Sequence, residues 1–155
     1  MSAIVIYESL TGNTRKAAEQ IGEELILGGT PVSAVCPVVG IDYQALADAD
    51  LVVVGTWVDG AVFIGQRPGG RIKRLPALSG KKVASFVTYG AAPGKTLSKL
   101  DTILTDRGAQ PLGGYAISRW KLADGSKEFV DRLLGAIDAG LPAPSPADVS
   151  SAPAS

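Results

Sequence analysis

Short β-branched runs alternate with amphipathic ones along this 155-residue chain. The first run, Ala3-Ile4-Val5-Ile6-Tyr7, is apolar and bounded by a polar cluster, which predicts a buried strand. Behind it Ala17, Ala18, Ile21 and Leu25 recur at helical spacing, with Glu19, Gln20, Glu23 and Glu24 covering the other face. Repeated along the chain, the same logic predicts strands over 3–7, 32–37, 50–55, 83–88 and 111–118. Helices are expected over 13–28, 43–48, 95–107 and 126–139, three of them stopped by glycine at 28–29, 108 and 140. Leu51-Val52-Val53-Val54 and Val83-Ala84-Ser85-Phe86-Val87 lack polar alternation, as strands covered on both faces do. The pattern is that of an α/β domain in which helices cross between parallel strands.

Two stretches break the pattern. From Thr56 to Lys82, 27 residues with five glycines and two prolines show no period, and a connection of that length in a compact domain is usually functional or disordered. From Leu141 to Ser155 the chain is proline, alanine and serine with two aliphatic residues, too little apolar area to order itself. One domain over 1–140 with a disordered tail over 141–155 is therefore expected.

Composition narrows the chemistry. Fifteen basic and fifteen acidic residues cancel, so nothing global draws the chain to nucleic acid or to a membrane surface. With no leader pattern and no apolar run of spanning length, a cytoplasmic protein is expected. Cys36 stands alone among Val32, Ala34, Val35 and Val38 and suits a core position better than a reactive thiol. The chain has no histidine, which removes the usual general base, the usual metal ligand and every Ser-His or Cys-His nucleophile. No catalytic side chain and no metal site are expected; any chemistry must come from a bound group.

The segment Ser9-Leu10-Thr11-Gly12-Asn13-Thr14 lies at the first strand-to-helix turn. A helix start carries unpartnered N–H groups and partial positive charge, and three hydroxyls beside it make a cup for an anion. An ordinary helix start with Asn13 or Thr11 as N-cap accounts for the same letters. Neither a Walker A loop nor a dinucleotide-binding fingerprint is present.

This segment, directly after the first strand, resembles the phosphate loop of flavodoxins. The resemblance covers residues 3–139. It implies a flavodoxin-like three-layer sandwich on a five-stranded parallel sheet of order 2-1-3-4-5, with ligand beyond the carboxyl ends of the strands. It also implies flavin mononucleotide (FMN) as cofactor, its phosphate on Ser9, Leu10, Thr11, Gly12, Asn13 and Thr14. The ring is then expected against Thr56, Trp57, Val58, Asp59 and Gly60 after the third strand, and against Tyr89, Gly90 and Ala91 after the fourth. Where many relatives have glycine after the first-loop aromatic this chain has Val58, with Gly60 two residues on. Trp57 is expected at an exposed loop tip against the ring, the alternative being a tryptophan folded over the sheet edge.

Flavodoxins are usually acidic, yet between Gly60 and Leu100 this chain has Arg67, Arg71, Lys73, Arg74, Lys81, Lys82, Lys95 and Lys99 and no acid. Positive charge about 10 Å from a reduced flavin would raise its potential by on the order of 20 to 70 mV per charge. The basic 67–82 loop suits an acidic redox partner protein, or the phosphate of NAD(P)H. The leading expectation is an electron carrier between redox proteins. The alternatives are an FMN-dependent NAD(P)H:quinone-type reductase and a binding module of the same fold without cofactor.

Overall fold

A computed structural model describes residues 1–58 and 70–140. Within them five strands, β1 (Ala3–Tyr7), β2 (Val32–Pro37), β3 (Leu51–Trp57), β4 (Lys82–Tyr89) and β5 (Gln110–Ser118), form one parallel sheet of order β2-β1-β3-β4-β5. Four helices connect them: α1 (Asn13–Leu27), α2 (Tyr43–Asp48), α3 (Thr96–Asp106) and α4 (Leu122–Asp138). The α/β class and the strand order expected from the resemblance are those observed.

Alternation along the central strands divides the core in two. Ile4, Ile6, Val52, Val54, Val83 and Val87 face α2 and α3, where Leu46, Leu100, Ile103 and Leu104 meet them. Val5, Leu51, Val53, Ala84 and Phe86 face the opposite layer, Ala17, Ile21 and Leu25 of α1 and Phe129, Val130 and Leu133 of α4. The central strands are buried along their length because both faces are covered, while β2 and β5 at the margins are only partly so. Cys36 is buried in the first of these clusters, as its apolar neighbours suggested.

Glycine at 55 is required by packing. Gly55 pairs in register with Phe86, and a Cβ at Gly55 would run into the Phe86 ring. On the far side, β5 joins β4 with a break in register between Val83 and Ser85, beside Pro111 and Gly113, whose φ is 101°. The helix ends follow expectation: Gly29, Gly108 and Gly140 adopt positive φ just past α1, α3 and α4.

Three expectations need correction. β3 continues through Thr56 and Trp57, so these residues belong to the sheet and not to a loop. α4 begins at Leu122, four residues earlier than expected, because Lys121-Leu122-Ala123-Asp124 carries no cap signal before the apolar residues begin. Within the stretch expected to be irregular, Ile72–Arg74 forms a 3-10 turn, and Ile72, Leu75 and Leu78 are buried against α3 and the sheet. Their three-residue spacing carries the apolar side, a short signal inside a glycine-rich background. The tail expected to be disordered lies outside the described residues.

Candidate cofactor site

The carboxyl ends of β1, β3 and β4 open onto a cleft lined by Leu10, Thr11, Asn13, Trp57, Val58, Thr88, Tyr89, Gly90 and Arg119. Three of the expected segments therefore meet at the switch point of the sheet, where β1 and β3 lie side by side. Asp59 and Gly60, also expected here, lie outside the described residues, as does Arg67.

The first turn leaves the start of α1 without a side-chain cap. Gly12 is the residue that starts α1, in the left-handed conformation at φ 95°, and it brings no capping side chain. Neither Thr11 nor Asn13 caps the helix, which corrects the ordinary-cap alternative. The Ser9 hydroxyl instead accepts the Gly12 N–H at 3.0 Å, tightening the loop. Thr11 is exposed at the turn, and Ser9 and Asn13 are half-buried beside it. The amides that open α1 are thus left without side-chain partners, facing the loop that leads in.

Two of the expected residues have their hydroxyls engaged inside the protein. Thr14 is buried, and its Oγ1 lies 2.7 Å from Oγ1 of Thr88, which pins the start of α1 to the end of β4. Thr56 is fully buried and donates to Glu8 Oε1 at 2.6 Å. Glu8, 2% exposed, also accepts the Arg71 N–H at 3.2 Å. It thereby ties the end of β1 to the segment that re-enters at residue 70. Ala91 is exposed and does not line the cleft.

Trp57 is half-buried at the end of β3, not at an exposed tip, because Val58 N–H bonds to Thr88 O at 2.8 Å and holds the strand in the sheet one residue longer. Its indole Nε1 is buried and has no hydrogen-bond partner among the described residues. On its other side lies a second cleft formed by Glu8, Ser9, Leu10, Gly70, Arg71 and Arg74. Trp57 and Leu10 line both, so the indole stands at the divide between a cleft of mixed polarity and a basic one.

The basic run splits in space. Lys81 donates to the carbonyls of Ala47 and Ala49 at 3.0 and 2.8 Å, covering the end of α2. Lys82 begins β4. Both stand at the amino-terminal end of the sheet, away from the cleft. Arg71 and Arg74 line its neighbour, and Lys95 follows Gly94, which approaches Val58.

Four residues of the site were missed or undervalued in sequence: Glu8, Thr88, Arg119 and, as a partner of Glu8, Thr56 in its buried role. A charged residue immediately after a buried strand was the available sign for Glu8. Arg119 likewise directly follows the expected fifth strand, but its place at the cleft comes only from the pairing of β4 with β5.

The residues present fit a flavin nucleotide. Uncapped amides and hydroxyls suit a phosphate, and an indole with an unpartnered N–H and a tyrosine wall suit a planar heteroaromatic ring. A family model for the flavodoxin domain matches residues 4–134, and the chain belongs to that family. It is similar to the flavodoxin-like domain-containing protein BilS of Clostridioides difficile (strain CD3), 32% identical over 141 residues, 86% of this chain and 74% of BilS. Among solved structures, the two-electron reduced flavodoxin of Megasphaera elsdenii superposes with a TM-score of 0.67 at 25% identity, covering 84% of this chain and 97% of that one. Oxidised flavodoxin 1 of Bacillus cereus gives 0.66 at 19% identity, with 87% and 98% covered, a likeness of fold. The family is one of flavin-binding electron-transfer proteins.

Proposed function

We propose that this chain binds FMN without a covalent link and carries electrons between redox partner proteins. The observation that carries the reading is the convergence of the uncapped α1 start, Trp57 and Tyr89 on one cleft at the β1/β3 switch point. In that cleft Ser9, Thr11, Gly12 and Asn13 would hold the phosphate, with Leu10 and Thr14 supporting the loop. Trp57, Val58, Tyr89 and Gly90 would contact the ring, with Thr56 acting through Glu8; Asp59, Gly60 and Ala91 complete the expected set. FMN when bound supplies one- and two-electron redox chemistry, and the protein supplies binding, orientation and field. The absence of histidine fits a carrier whose own side chains perform no proton transfer.

The test is the absorption spectrum of the purified protein before and after adding FMN. A yellow preparation, or a colourless one that gains bound-flavin bands at stoichiometric FMN, is the expected result. A protein that takes up no flavin would leave the cofactor-free binding module.

A second reading is favoured by the cleft across Trp57. Arg71 and Arg74 are exposed there and make no ion pair among the described residues, a setting that suits a nucleotide phosphate. Rapid oxidation of NADPH by the holoprotein with a quinone, and no other protein present, would mark it as an NAD(P)H:quinone-type reductase. Under the carrier reading the same arginines greet an acidic partner protein, and NADPH oxidation stays slow.

A further inference from the structure

The far wall of the cleft holds a cation that the phosphate loop and the aromatic residues do not explain. β5 ends at Ser118, and the next residue, Arg119, donates its backbone N–H to Tyr89 O at 2.8 Å, which fixes it beside the end of β4. Its guanidinium carbon lies 4.4 Å from the centroid of the Trp120 ring. On the other side stands Gly90: a Cβ there would come within 3.2 Å of both Cζ and Nε of Arg119. The guanidinium is therefore flanked by an indole face and by a residue with no side chain. It makes no ion pair among the described residues, so no described acidic side chain cancels its charge on the cleft wall.

The same arrangement accounts for Trp120, which at 74% exposed is costly to keep on a surface and buries little of itself. Its ring serves as a brace. An arginine side chain free in water samples many rotamers, and stacking on an aromatic face holds its planar head in one place.

We propose that Arg119, with Trp120 as its positioning residue, shifts the affinity of the cleft toward reduced and away from oxidised flavin; this rests on flavin occupying the cleft. Full reduction adds two electrons and one proton to the ring and leaves one net negative charge on it. A fixed cation on the wall stabilises that charged form and leaves the neutral oxidised ring almost unaffected. Because Arg119 is exposed, the preference is sensitive to salt.

The experiment compares dissociation constants for oxidised FMN and for dithionite-reduced FMN under anaerobic conditions, in wild type, Arg119→Gln, Arg119→Lys, Trp120→Ala and Trp120→Phe. At low salt, Arg119→Gln is expected to weaken reduced FMN by about fivefold while oxidised FMN changes by less than about twofold. Trp120→Ala should move the ratio the same way, and Trp120→Phe should restore it. Raising salt from about 0.01 M to about 1 M, which shortens the screening length from about 30 Å to about 3 Å, should erase the difference between wild type and Arg119→Gln. Unchanged affinity for oxidised FMN also reports that each variant is folded. An identical reduced-to-oxidised ratio in wild type and Arg119→Gln overturns the role of Arg119, and so does a difference that persists undiminished at high salt. A wild-type protein that binds no FMN overturns the cofactor reading itself, a distinct result.

Discussion

Thr11 and Thr14 are three positions apart and do different work. Thr11 is exposed at the mouth of the turn, whereas the Thr14 hydroxyl is engaged with Thr88 inside the protein. Under the FMN reading, Thr11→Val removes one hydrogen bond to a charged group, about 1.5 to 3 kcal/mol. FMN affinity should fall by about tenfold or more, with the urea midpoint of the apoprotein unchanged. Thr14→Val instead leaves the Thr88 hydroxyl buried without its partner, which costs about 1 to 3 kcal/mol. The apoprotein midpoint should then drop, and equal midpoints for the two variants would refute the division. The loop from Ser9 to Thr14 was legible in sequence because its parts are adjacent. The pairs Glu8–Thr56 and Thr14–Thr88 were not, because the first joins the ends of two strands and the second joins the start of α1 to the end of β4, neighbours that only the sheet order brings together.

At the scale of elements, the alternation of apolar and amphipathic runs located all five strands and all four helices to within a few residues. It failed where local signals are weak: the three-residue turn at Ile72–Arg74, the uncapped start of α4, and the extension of β3 through Trp57. The last was hidden because Thr56-Trp57 looks like the start of a loop, while the bond from Val58 N–H to Thr88 O comes from another strand. The meeting of β3 and β4 yields a further expectation. Gly55→Ala places a methyl group in the Phe86 ring and should cost about 1 to 3 kcal/mol, visible as a lower melting temperature. Phe86→Leu in the same background should recover part of the loss.

Between β5 and α4, Glu128 is held below the ordinary carboxylate value chiefly by hydrogen bonding to the Tyr115 hydroxyl, which outweighs the cost of burial, with smaller contributions from the charge and hydrogen bond of Arg132. Its attraction to Tyr115 is therefore complete at neutral pH and is lost as pH falls through that lowered value. NMR titration of the Glu128 carboxyl should show the lowered midpoint, and Tyr115→Phe should return it toward the ordinary range.

For the whole molecule, folding redistributes the basic run. In sequence, eight cations and no acid between Gly60 and Leu100 look like one basic rim. Folded, Lys81 and Lys82 lie at the opposite end of the sheet from the cleft, while Arg71 and Arg74 line the neighbouring cleft shared with Trp57, and Arg119, just past β5, lines the cleft itself. Under the FMN reading, a field from these groups would favour adding the second electron, so that potential should be less negative than in acidic flavodoxins. Spectroelectrochemical titration giving an equally negative value would exclude the effect. Among the described residues no helix is long and apolar enough to cross a membrane.

The join between β4 and β5 bears on how the molecule behaves in a crowd. A sheet margin offers unpaired amides and carbonyls to any passing strand, the route by which folded domains seed fibrils. On β5 that invitation is interrupted: Pro111 lacks an amide hydrogen, and the left-handed backbone at Gly113 bends the strand out of the flat geometry a recruit would need. One proline and one left-handed glycine thus guard this flank against runaway polymerisation.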